Sequence, residues 1–229
     1  MKNVTPPTSG AIATTATTAS KRRRPAQSRA LATTEAIQQA FIQLLVERSY
    51  RAVSIRQIVA LAGVGTGSFY EYYSSKDELA AVCIRLRIRD IAATMLECID
   101  AHQNEPLPQR VDALIHAQSA APLADPEQWS ALFVLERRIS EMETYRDLYG
   151  EFVRMWTKAL AGGPGWPDGA PTQDAAFAAH SMVYGLVTQA LITRTVPPDA
   201  DAIGRLLRTA VHGYLSVVAP LAYRLHRFA

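Results

Sequence analysis

The sequence predicts an all-α protein, and three observations predict it. Apolar residues recur at helical spacing over most of the chain, as in Ile37, Ala40, Phe41, Leu44 and Leu45. Helix-capping residues and glycine or proline stops punctuate these runs at short intervals, from Ser54 and Gly63 to the loop GGPGWPDGAP at 162–171. No stretch alternates convincingly as a strand would, and no internal repeat is visible.

Taken in order, residues 1–25 read as a disordered basic arm. Residues 1–20 are rich in Thr, Ala and Pro with little apolar bulk, and Lys21-Arg22-Arg23-Arg24 follow. The arm suits either a minor-groove contact or a solubilising tail without a fixed partner. A first helix is expected over about 29–48. Ser54, three positions before Gln57, forms a capping box for a second helix that Gly63 must stop, since glycine accepts the left-handed exit. Val64 plugs the angle, Gly65 caps a third short helix, and Phe69 and Tyr73 face inward from it. Thr66, Gly67, Ser68, Tyr70 and Tyr72 then point outward, a face suited to close approach. Two short helices at a fixed angle are the helix-turn-helix, which inserts its second helix into the DNA major groove. Residues 26–75 are therefore expected to form a DNA-binding domain of three helices.

Residues 76–229 are expected to form a larger helical domain for ligand binding and dimerisation. A long fourth helix starts at Ser75, where Asp77 and Glu78 suit its positive end, and ends near Asp100. Leu79, Val82, Leu86, Met95, Leu96 and Ile99 should be its buried face. A fifth helix over 108–119 should stop at APLADP. Two helices should share 126–160, dividing near 140–143, and two more should span 172–194 and 199–226 around Pro197-Pro198.

The strings ERSYRAVSI, IRQIVALAGV and GSFYEYYSSKDEL make residues 29–84 resemble the N-terminal domain of the TetR (tetracycline repressor) family of bacterial transcription regulators. Gly65 stands where that family usually has a hydroxyl cap. The resemblance implies that Thr66, Ser68 and Tyr70 meet bases and phosphates, with Gly67 letting the backbone come close. Arg56 suits a bidentate guanine contact or, equally, a backbone salt link. Ser54, Tyr72 and Lys76 are placed for phosphates. It further implies a homodimer through a four-helix bundle made by the last two helices, reading a palindromic double-stranded operator. Ala178, Ala179, Gly185, Ala190, Ala210 and Gly213 would allow close helix approach there. Met182, Leu186, Leu206, Leu207, Tyr214 and Val217 would supply apolar anchors. A small-molecule effector bound among the middle helices would change the spacing of the two heads.

Charge agrees with this division. Residues 1–90 hold 13 Lys/Arg against 6 Asp/Glu, a difference of +7, and residues 91–229 hold 11 against 15, a difference of −4. The effector itself is not legible. The aromatic run Trp129, Phe133, Tyr145, Tyr149, Phe152 and Trp156 suits a pocket or an ordinary core, with a hydrophobic or aromatic compound preferred. Met95, His116, Trp129, Phe133, Arg137, Met142, Tyr145 and Tyr149 are the candidate ligand contacts, with Gln118 as a further polar group. Should these residues be plain core, the large domain only dimerises or meets a protein partner.

Cys83 and Cys98 on one helix would lie roughly 22 Å apart at 1.5 Å per residue, too far to bridge, and neither has zinc-ligand spacing. No phosphate loop, metal cluster or nucleophile motif points to an enzyme, and no cofactor is expected. The opening residues hold no apolar stretch able to act as a signal sequence, and no apolar run approaches spanning length. A cytoplasmic protein without membrane association is the expectation.

Overall fold

A computed structural model describes Met1, residues 20–194, Val196 and residues 199–224. Residues 2–19, most of the predicted arm, lie outside the described residues, as do Pro197, Pro198 and 225–229. Among the described residues the regular structure is helical: α1 (Ser20–Glu47), α2 (Ile55–Ala62), α3 (Thr66–Tyr72), α4 (Lys76–His102), α5 (Leu107–Ala124), α6 (Pro126–Ile139), α7 (Met142–Ala161), α8 (Thr172–Thr193), α9 (Ala200–Val218) and α10 (Pro220–Arg224).

Three boundaries differ from expectation. The backbone of α1 is helical from Ser20, so Lys21 to Pro25 continue a helix instead of preceding it as an arm. α5 runs through the supposed stop to Ala124 with Pro122 buried inside it. Proline costs the helix one N–H bond, to the Gln118 carbonyl, but a buried apolar ring offsets part of that loss. Asp125 is the real boundary, its carboxylate accepting the Gln128 amide at 3.2 Å to start α6. Finally, the last predicted helix is two, because α9 ends at Ala219 and Pro220 opens the short α10.

Two apolar cores organise the molecule, and α4 belongs to both. The head core joins Ile37, Phe41 and Leu45 of α1 to Ile58, Val59, Phe69 and Tyr73, with Leu79, Ala80, Cys83 and Ile84 from the first turns of α4. The body core takes Ile91, Ala92, Met95 and Ile99 from the same helix and packs them with α5, α7, α8 and α9. The buried stripe of α4 therefore misses Leu86 and Leu96, which are exposed although the sequence placed them inside. They lie off the line drawn by Ala80, Ile84, Ile91, Met95 and Ile99 at the 3.6-residue period.

A second helix also crosses between the cores. Leu132 and Leu135 of α6 sit in the head core, whereas Trp129 and Phe133, on its other side, sit in the body core. Arg110 ties the far end of the body. Its guanidinium donates to the carbonyls of Ala159 (3.1 Å) and Leu160 (3.1 Å), capping the negative end of α7, and to those of Glu105 (2.7 Å) and Pro164 (2.8 Å). Gly163 is obligatory beside it, since a Cβ there would meet the Gln103 carbonyl at 2.3 Å and the guanidinium at 2.6 Å.

α8 meets the length and apolarity of a membrane span, with mean hydropathy 1.4 over its 18-residue window, contrary to the sequence reading. Half of that window is buried within the protein, where Ala175, Ala176, Ala179, Val183 and Val187 are core residues. Its apolarity is that of a central helix.

Candidate nucleic-acid interface and effector cavity

The helix-turn-helix forms from local chemistry. Ser54 and Gln57 make the reciprocal capping box: the Ser54 hydroxyl accepts the Gln57 amide, and the Gln57 side chain accepts the Ser54 amide at 2.9 Å. Gly63 ends α2 at φ 68°, and the next amide, Val64, returns to the Val59 carbonyl at 3.0 Å. Val64 is partly buried in the head core, and Phe69 and Tyr73 point into it. Tyr73 is held there by the Gln38 amide, which donates to its hydroxyl at 2.8 Å. Gly65 caps α3 without a side-chain bond.

Thr66, Gly67 and Tyr70 are exposed, Tyr70 at 56%, and a Cβ on Gly67 would meet nothing within 4 Å. Ser68 and Tyr72 are half-buried, so they flank this outward face more than they form it. Arg56 is exposed near the start of α2, with no hydrogen-bond or ion-pair partner among the described residues. The Ser54 hydroxyl is exposed but already engaged within its capping box.

Lys76 departs from its expected role. Its ammonium donates to the carbonyls of Tyr50 (2.8 Å) and Val53 (2.6 Å) and lies 4.2 Å from the centre of the Tyr50 ring. Desolvation lowers its pKa. Two of its three protons thus close the loop between α1 and α2, and Lys76 is a clamp before it is a phosphate ligand. Tyr50 gathers three groups at this joint: it donates to Asp77 of α4, and Arg138 of α6 lies 5.3 Å from its ring.

The body holds a cavity of ≈ 60 Å³, partly open to solvent, among α4, α5, α6, α7 and α8. Of the predicted ligand contacts it brings together Trp129, Phe133 and Tyr149, and with them Gln118. The others are elsewhere. Met95 is fully buried in the body core, and His116 and Arg137 face outward. Arg137 points back along α6 to the Phe133 carbonyl. Met142, 62% exposed, and half-buried Tyr145 line a separate open groove beyond Tyr149. Each of these misses has one cause: the sequence gives spacing along a helix but not which neighbour fills the facing side.

Glu136, Phe152, His180 and Tyr184 line the cavity and were not among the predicted contacts. Glu136 is 4% exposed, and burial holds its carboxyl above the usual range, opposed by the Tyr184 hydroxyl donating to it at 3.3 Å. Burial lowers the His180 pKa to about 4. The Tyr149 hydroxyl and His180 Nε2 are buried without hydrogen-bond partners. Burial, with the Tyr145 and Tyr184 hydroxyls crowding it, raises Tyr149 far above the usual phenol range. A carboxyl and an imidazole on facing apolar helix stripes are the signal that could have identified this site, because such groups are rarely fully buried without a task.

On α8 and α9, Ala179, Ala190 and Leu207 are buried within the chain, so these are core residues and not free anchors. Leu206 and Val217 are exposed, and Gly185 and Gly213 face open space. No group of three or more metal-binding side chains occurs among the described residues.

Residues 37–83 match the model of the bacterial regulatory proteins of the tetR family, which covers α2, α3, the C-terminal part of α1 and the start of α4. No curated protein matches the chain. The fold is shared with a TetR transcription regulator from Haloarcula marismortui, at 18% identity and TM-score 0.66 over 81% of this chain and 97% of that one. A transcriptional regulator from Rhodococcus sp. is equally similar, at 18% identity and TM-score 0.65 over 81% and 97%. A fatty acid degradation regulator from Bacillus halodurans follows, at 16% identity and TM-score 0.64 over 78% and 97%.

Proposed function

We propose that this chain, a DNA-binding transcriptional regulator with a TetR-family head, reads a palindromic operator as a homodimer and represses until a small apolar effector fills its body cavity. The observation that carries the reading is the outward face of α3, where Thr66, Gly67 and Tyr70 stand exposed beside an unpartnered Arg56. Thr66, Ser68, Tyr70 and Tyr72 contact bases and backbone, and Arg56 reads a guanine edge through its fork. Ser54 and Lys76 hold position, Lys76 chiefly by fixing the α1–α2 loop. One head covers little DNA, so two related by a two-fold axis are needed, and the exposed Leu206 and Val217 with Gly185 and Gly213 are the surface for that contact.

Release follows from differential affinity: the effector must bind the DNA-incompetent state more tightly. α4 and α6 each join cavity to head core, so a ligand that displaces Phe133 also displaces Leu132 and Leu135, and through them the heads.

Selection from a random duplex library at low ionic strength tests the reading. The full-length protein should enrich a two-fold symmetric motif. Arg56→Ala should lose discrimination at one base pair of each half-site, worth roughly 1–3 kcal/mol, with an unchanged salt slope. Failure to retain any duplex, or retention of all alike, refutes it.

A further inference from the structure

The polar corner of the cavity has a defined hydrogen-bond direction. Trp156 Nε1–H can only donate, and it does so to Gln118 Oε1 at 2.7 Å. The amide of Gln118 is thereby oriented, and its NH₂ faces His180 Nδ1 at 3.1 Å. Nδ1 must accept that bond, which puts the proton of the neutral imidazole on Nε2. His180 is 2% exposed and this Nε2–H has no partner. Tyr149, whose ring centre is 5.1 Å from that of His180, carries a buried hydroxyl that sits beside the Tyr145 and Tyr184 hydroxyls without a well-formed hydrogen bond. Phe152 stacks on the imidazole at 5.3 Å, fixing its plane. Two buried donors, neither in a well-formed hydrogen bond, thus belong to residues lining a cavity whose other walls are chiefly Ile84, Ile91, Trp129, Phe133 and Val187.

Charge narrows the ligand further. Glu136 shares the cavity, so a ligand anion would lie beside a buried carboxyl. Among the described residues the one cationic side chain on the lining, Arg87, is partly exposed and turned toward Asp90 at 3.8 Å. Leaving a buried donor unpaired is costly, so a ligand that answers it gains more than its apolar contact.

We propose that the cavity selects an uncharged, largely aromatic molecule bearing a carbonyl-type acceptor oxygen, which is held by His180 Nε2–H and the Tyr149 hydroxyl. This rests on the cavity being the effector site. The imidazole suits the task because burial keeps it neutral, so the same proton is presented across the physiological range.

Binding of three probes of one size to the full-length protein decides it, read by quenching of Trp129 fluorescence and by calorimetry. 2-Acetylnaphthalene should bind roughly tenfold tighter than 2-ethylnaphthalene, which has no acceptor, and 2-naphthoate should bind more weakly than the ketone. Tyr149→Phe and His180→Phe should each erode the ketone's advantage while leaving 2-ethylnaphthalene within about twofold. The Tyr149 change removes only an oxygen and keeps the test valid should the His180 variant fold poorly. Equal binding of ketone and hydrocarbon, or preference for the carboxylate, overturns the selection rule while the cavity stands as an effector site. Binding of none of the three overturns the effector site itself, and the rule with it.

Discussion

The head and the cavity handle polar groups in opposite ways. In the head they are turned outward: Thr66, Tyr70 and Arg56 stand in solvent, and the groups that fold the domain, Ser54 with Gln57 and Gly63, are satisfied by near neighbours. In the cavity they are turned inward: Glu136 and His180 lie buried, and His180 Nε2 and the Tyr149 hydroxyl make no well-formed hydrogen bond. A surface that waits for a polyanion can be wet while it waits. A pocket for an apolar molecule, the role proposed for the cavity, would hold its recognition groups dry, at a standing cost to stability. The two sites should therefore respond differently to perturbation.

The largest effect should come from the body's own fastening. Arg110→Ala strips the bonds from four carbonyls and should destabilise the protein by roughly 3–5 kcal/mol in denaturant unfolding. An effect below about 1 kcal/mol would mean that water replaces the guanidinium at no cost, and that the contrast between a dry body and a wet head is overstated.

Acid should distinguish the two sites next. His180 has a folded pKa of about 4 against 6.5 unfolded, so the unfolded chain binds the extra proton first. Its stabilising contribution is complete above pH 6.5 and is lost as pH falls toward 4, to roughly 3 kcal/mol. Glu136, with its pKa raised, acts in the opposite sense as it protonates. Comparing His180→Phe with the parent from pH 7 to 4 isolates the imidazole, since the variant should show a shallower decline. Equal slopes would show that His180 does not stay neutral in the fold.

In the head, Lys76→Met keeps the stem but abandons the Tyr50 and Val53 carbonyls, and should cost roughly 2 kcal/mol in thermal or denaturant unfolding. A variant of unchanged stability that binds all duplexes more weakly would restore Lys76 to the phosphate role. Smallest is Gly63→Ala, which forces a side chain into φ 68° and should cost about 1 kcal/mol, seen as a small fall in the melting temperature.

The same contrast explains what was legible in the sequence. Capping boxes and glycine stops are local, so the helix-turn-helix boundaries, the inward Phe69 and Tyr73 and the exposed Thr66, Gly67 and Tyr70 all follow from neighbours a few residues apart. The loop contacts of Lys76 were not legible because its partners are 23 and 26 residues earlier, a relation that spacing does not encode. The cavity was half legible for the same reason. Trp129, Phe133 and Tyr149 were found through aromatic enrichment, whereas His180 and Glu136 acquire meaning only when α6 and α8 come together. Pro122 inside α5 and Pro220 ending α9 show the remaining ambiguity, since one proline is tolerated by packing and the other is not.

α6 places Leu135 in the head core and Glu136, the next residue, against the cavity. Chemical taste and mechanical footing are therefore written on one short piece of backbone. On the proposed reading, retuning the cavity through Trp129, Phe133 or Glu136 would also act on the helix that seats the head. Engineers seeking altered sensing without altered operator affinity should start on α7 and α8, at Leu148, Phe152 or Val183, which line the same chamber from helices that supply nothing to the head core.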